Sequence, residues 1–143
     1  MNLLSIAVIL FLVLEVLNVI LLYFAPGSTK GNGMGFFNAF EKSKKDPEVH
    51  ALVNYLVNWV AGTKLIFIAL LIVVLITGDE ITKLWSVVAL IVSIAVFYWR
   101  LYPSIRKMDD NNYLSPKGYS KTLGYMIAGF LAVFLGALVV SFF

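Results

Sequence analysis

Residues 3–24 read LLSIAVILFLVLEVLNVILLYF, an apolar run of bilayer length with Glu15 at its centre. Within it the other strongly polar side chains are Ser5 and Asn18. About 20 apolar residues in a helix cross a hydrocarbon core, so this run predicts a transmembrane helix. It lacks a basic n-region and a small-x-small cleavage site before Ala25, so the expectation is a retained helix rather than a signal peptide. A charge near the bilayer centre costs ~2.5–3.5 kcal/mol on insertion scales, and such residues face an interior, a cavity or a partner. Glu15 therefore marks work done inside a membrane.

The rest of the chain repeats the pattern. Of 143 residues, 61% are hydrophobic and 13% charged, too little polar surface for a water-soluble domain of this size. Four spans are predicted, at about 3–24, 51–77, 81–102 and 119–143. The expected fold is all-α: one integral membrane domain over residues 1–143, with four transmembrane helices packed as a small bundle. Asp46-Pro47-Glu48 supplies a cap, a first-turn proline and an acidic first turn for the second span. Gly78 closes that span as a C′ glycine would, Asp79-Glu80 opens the third, and Ser115-Pro116 opens the fourth. The short 78–80 link makes spans two and three an antiparallel hairpin.

Charge placement sets the expected orientation. Lys30, Lys42, Lys44 and Lys45 fall between spans one and two; Arg100, Arg106, Lys107, Lys117 and Lys121 surround the 3–4 connection. Lys83 stands alone on the other side, so the bias is nine to one with Lys64 set aside as intramembrane. The positive-inside rule then puts loops 25–50 and 103–118 in the cytoplasm and both termini outside a cell membrane. Trp99, Tyr98 and Tyr102 form an inner aromatic belt beside Arg100, and Trp85 marks the outer interface. Phe36, Phe37 and Phe40 share one helical face ahead of Lys42, Lys44 and Lys45, which predicts a short amphipathic helix lying on anionic headgroups.

Several chemistries are set aside. Cysteine is absent and His50 is the single histidine, so disulfides, thiolate sites and bis-histidine haem ligation are excluded, and no metal or cofactor is expected. Gly31-Asn32-Gly33-Met34-Gly35 lacks the strand and the GK[ST] of a phosphate loop and reads as a flexible linker. Met108-Asp109-Asp110-Asn111-Asn112 lacks EF-hand spacing and reads as a solvated turn. The basic residues are those the positive-inside rule requires, so nucleic acid is not a partner.

The candidate binding residues lie inside the membrane. Asn18 is six residues, ~9 Å, from the end of span one, and Asn58 is seven residues, ~10 Å, from the start of span two. Glu15 sits one turn from Asn18, and Asn54 and Asn58 share a face. The expected cluster is Glu15, Asn18, Asn54 and Asn58, with Lys64 as counter-ion to Glu15, although Lys64 points ~120° from Asn58 on an ideal helix. Glu15 either pairs with Lys64 as a carboxylate or stays protonated. In span four, Gly124, Ala128, Ala132 and Gly136 form a small-residue stripe for close helix packing, within the chain or against a second copy or another membrane protein.

With four spans, a glutamate in the middle of the first and Trp85-Ser86 opening the third, the chain resembles the small multidrug resistance transporters. That resemblance implies that Glu15 takes up and releases protons. The long basic 1–2 loop, Lys64 and the strong charge bias depart from the family. The functional expectation is binding or transport of a small solute, ion or proton. The alternatives are a non-catalytic subunit or scaffold and, third, a lipid-modifying intramembrane enzyme. Acid–base catalysis would need a second carboxylate or histidine at membrane depth, and the sequence places none there.

Overall fold

A computed structural model describes residues 2–142. The described chain is all-helical and has no strands. Helix α1 spans Leu3–Phe24, α2 Asn38–Ser43, α3 Pro47–Thr77, α4 Glu80–Ala95, α5 Phe97–Asp110 and α6 Tyr119–Val140, with a short 3-10 turn at Met34–Phe36. Helices α4 and α5 form one rod with a break at Val96, so among the described residues four helices are long and apolar enough to cross a membrane. Residue 143, the end of the expected fourth span, lies outside the described residues.

The helix starts follow their caps. Asn2 accepts from the Ser5 amide at 2.9 Å, and Asp79 accepts from the Thr82 amide at 2.8 Å. Asp46 accepts from the amides of Glu48 and Val49 at 3.1 and 3.2 Å, with Pro47 in the first turn, so α3 begins four residues before the apolar run. Gly78 ends α3 in an extended conformation (φ −74°), not a left-handed one. Glycine is needed there because a Cβ would sit 2.5 Å from the Val74 carbonyl oxygen.

The helix of the third span continues past the span's apolar part. The rod runs through Pro103 to Asp110, which leaves the 3–4 connection as 111–118 rather than 103–118. Ser115-Pro116 does not open α6. Gly118 does, at φ 91°, a left-handed value that disfavours any side chain.

Helix α1 is the central element, touching α3, α4 and α6. Leu4, Val8 and Phe11 pack against Ile68 and Leu71 of α3, Val87 and Leu90 of α4, and Phe134 of α6. The Phe11 ring meets Phe67, Phe130 and Phe134 edge-on at 5.4–5.9 Å. The outward faces stay apolar: Ile66, Leu70, Val92 and Val139 are each more than half exposed. An apolar flank of that extent suits lipid rather than water.

A second cluster sits where the two long loops meet. Phe36 stacks on Tyr119 at 3.8 Å, and both join Ile105, Leu114 and Leu123. The Asn38 amide donates to the Tyr113 carbonyl at 3.0 Å, and the Ser115 amide donates to the Phe36 carbonyl at 2.9 Å. The two basic loops are thus tied into one cap. Residues 31–35 belong to it: the Asn32 amide donates to Asn18 Oδ1 at 3.2 Å, and the Gly35 amide donates to the Ser28 carbonyl at 3.1 Å. The glycine-rich stretch is a packed turn, not a free linker.

Candidate functional site

Glu15 and Lys64 meet. They lie midway along α1 and α3, and the Lys64 ammonium donates to Glu15 Oε2 in an ion pair. The side chains are 15% and 22% exposed, respectively. The reason lies in the inward stripe of α3. Val57, Ala61, Ile68 and Leu71 are buried at helical spacing, and Lys64 falls between Ala61 and Ile68 on the same stripe. Asn58 falls off it and is exposed; Asn54 is half-buried. Among the described residues, neither asparagine makes a side-chain hydrogen bond to Glu15, Asn18 or Lys64.

Asn18 also turns elsewhere. It is 9% exposed, and its Oδ1 holds the amide of Asn32, so this side chain anchors the cap to α1. The structure therefore pairs two of the five expected residues, Glu15 and Lys64, and among the described residues Asn18, Asn54 and Asn58 make no side-chain hydrogen bond to them.

The pair forms part of the wall of an open cleft of about 500 Å³ between α1, α3 and α4. Phe11, Phe67 and Leu90 supply its apolar surface, with Trp59, Val60 and Ile94 toward its flank. Thr63 and Ser93 add hydroxyls. The Thr63 hydroxyl already donates to the Trp59 carbonyl at 3.0 Å. Such a volume lies within the ~300–1,000 Å³ of ordinary ligand sites. Glu15 is its one carboxylate, Lys64 its one cation, and no histidine lines it among the described residues. This arrangement can hold a hydrogen-bonding group against an apolar wall.

The remaining expected residues divide by surroundings. Gly124 is buried under Tyr102: a Cβ there would lie 2.8 Å from Tyr102 Cε2, and the Tyr98 hydroxyl donates to the Gly124 carbonyl at 2.6 Å. Tyr98 and Tyr102 thus pack against α6 instead of facing outward. Ala128, Ala132 and Gly136 are exposed, with open space at Gly136. Trp85 and Trp99 are 64% and 74% exposed, with the Arg100 guanidinium 5.8 Å from the Trp99 ring. Phe36 and Phe37 precede α2, and Phe40 is buried beside Gly27 and His50. All three rings contact protein, because the loop folds back before the six-residue helix begins.

Asp109 also departs from its expected place. It is buried, not part of a solvated turn. Oδ1 accepts from the Gly118 amide at 2.8 Å; Oδ2 accepts from the Ser120 amide at 3.0 Å and its hydroxyl at 2.6 Å. Asp109 thus caps α6 from the end of α5, beyond the apolar span. The Ser120 hydroxyl, with the two amides, holds its carboxyl below the ordinary carboxylate value. A signal was present: Gly118 has no side chain to satisfy the first amides of α6, so an acceptor must come from elsewhere.

No family model, curated protein or solved structure matches the chain. The resemblance to small multidrug resistance transporters therefore rests on Glu15, Trp85-Ser86 and the four spans alone. The four apolar helices are compatible with a multi-pass membrane protein.

Proposed function

We propose that the chain is a multi-pass protein of the cell membrane whose spans form a small bundle. It binds or transports a small solute, ion or proton at the Glu15–Lys64 cleft. The observation that carries this reading is an ion pair midway along two apolar helices, set in the wall of an open cleft rather than sealed in a core. Both termini are outside and the cap is cytoplasmic, a placement supported by the nine-to-one distribution of lysine and arginine. Helix α2 lies at the inner interface, where the exposed Lys42, Lys44 and Lys45 meet anionic headgroups.

The test is Glu15→Gln in proteoliposomes loaded with a pH-sensitive dye and challenged with a panel of solutes. Wild type moves protons or a solute, and the variant does not, while its size and helix content are unchanged. A second reading, a subunit of a larger membrane assembly, is favoured by the exposed Ala128, Ala132 and Gly136, which leave room for another backbone. Absence of flux in wild type, with loss of association in Gly136→Val, selects that reading. An acid–base enzyme has the least support, because the cleft has a single carboxylate and no histidine among the described residues.

A further inference from the structure

The ionised groups of the cleft cancel. Glu15 and Lys64 face each other, and no other charged side chain lines the cavity. A cationic or anionic ligand would leave one charge unbalanced in an apolar setting; a neutral ligand would not. The pair nevertheless leaves hydrogen-bonding capacity unused. An ammonium has three donors, and among the described residues Glu15 is the one side chain that accepts from Lys64. Glu15 engages Oε2 in that contact and keeps Oε1 free for a donor. Ser93, on the α4 side, is exposed and makes no side-chain hydrogen bond among the described residues. The site therefore offers N–H and O–H donors, with the free carboxylate oxygen and the Ser93 hydroxyl as acceptors, in the wall of an otherwise apolar space.

The route of entry follows from height and exposure. Trp59, 63% exposed, lies five residues before Lys64 on α3, ~7.5 Å nearer the cap. Val60 is 50% exposed on the same flank. These exposed side chains border the cleft within the apolar length of α3, so on the membrane reading a molecule reaching it arrives through lipid.

On the binding reading given above, we infer that the ligand is a neutral, membrane-dissolved molecule with one hydroxyl or carbonyl head on an apolar body. A long-chain alcohol and a lipid ketone or quinone share this chemistry. The head takes donors from Lys64 and Ser93 without parting the ion pair, and the body lies along Phe11, Phe67 and Leu90.

The experiment uses the full chain in nanodiscs with diazirine-bearing probes of one chain length: an alcohol, a methyl ketone, an amine and a carboxylic acid. Labelled positions are mapped by mass spectrometry. The expected result is saturable labelling along 59–67 and 90–94, with the alcohol or ketone about tenfold ahead of the amine and acid. Comparison of the alcohol with the ketone tells the two sources apart. Ser93→Ala lowers neutral-probe affinity about threefold. Leu90→Trp, with Ile94→Phe as a milder second filling variant, removes saturable labelling while helix content and size are retained. Preference for the amine or the acid overturns this inference and leaves the binding reading standing. Labelling by every probe that is unsaturable and unchanged by both filling variants overturns this inference, and it overturns the binding reading too only where Glu15→Gln leaves flux unchanged.

Discussion

Removing Lys64 should destabilise this protein far more than neutralising Glu15. In Lys64→Met the Glu15 carboxylate stays beside Phe11, Phe67 and Leu90 with no counter-ion. Breaking one side of a buried pair costs ~3–5 kcal/mol, and the residual exposure here puts the expected loss near the lower bound, about 3 kcal/mol. Glu15→Gln leaves a cation instead, but lysine has a long stem. On α3 its Cβ leans toward the cap, so the ammonium can swing past Val60 toward Trp59 and the interface. That escape limits the expected loss to about 1 kcal/mol. The double variant Glu15→Gln/Lys64→Met carries no charge and should also lie within about 1 kcal/mol of wild type. The cycle then gives a coupling energy of about 3–5 kcal/mol, well above the ~0.2–1 kcal/mol of an exposed pair. Reversible unfolding by sodium dodecyl sulfate in bicelles, followed by helix circular dichroism, measures all four proteins. Additivity within about 0.5 kcal/mol would refute the reasoning, as would a Glu15→Gln loss equal to that of Lys64→Met.

The same titration checks the α5–α6 clamp. Asp109→Ala should cost about 2 kcal/mol and Asp109→Asn less than half of that, since the amide keeps one acceptor. The Asp109 carboxyl titrates below its ordinary value of 3.8, so its contribution is complete above that pH and is lost as pH falls through the folded-state value. Asp109→Asn should flatten the stability profile over that interval, and an unchanged profile removes Asp109 from the account. Gly124→Val drives a methyl into the Tyr102 ring and should cost ~1–3 kcal/mol, whereas Gly136→Val has open space and should stay within ~0.5 kcal/mol in the isolated chain. In this cysteine-free chain, Lys44→Cys should resist an impermeant maleimide in intact cells and react after permeabilisation; labelling of intact cells would invert the proposed orientation.

The four long apolar helices and the caps at Asp46 and Asp79 were legible because each signal is local. The apolar length of residues 3–24, the caps at Asp46 and Asp79, and the short 78–80 link act within a few residues of the feature they determine. The cap over the loop end was not legible. Phe36, Phe37 and Phe40 have helical spacing, but Asn18 on another element draws residues 31–33 back along α1, so the helix starts only at Asn38. Asp109 looked like part of a solvated turn because its three donors lie nine to eleven residues later, at Gly118 and Ser120.

The intramembrane site shows the same division inside one helix. Glu15 and Asn18 are three residues apart and share a face, and that proximity alone suggested a common cluster. Their partners differ because α3 presents an inward stripe in steps of three and four, Val57, Ala61, Lys64, Ile68 and Leu71, which carries Lys64 to Glu15 and excludes Asn58. Because α3 is apolar on every side, that stripe shows in its burial and not in its sequence. Nothing periodic assigns Asn18, because its donor is the backbone of Asn32 in an aperiodic loop, where any residue but proline would serve. Side chains that bind side chains on neighbouring helices leave a periodic pattern of burial. Side chains that bind a loop backbone leave none, so Asn18 reads as a ligand until the loop is seen.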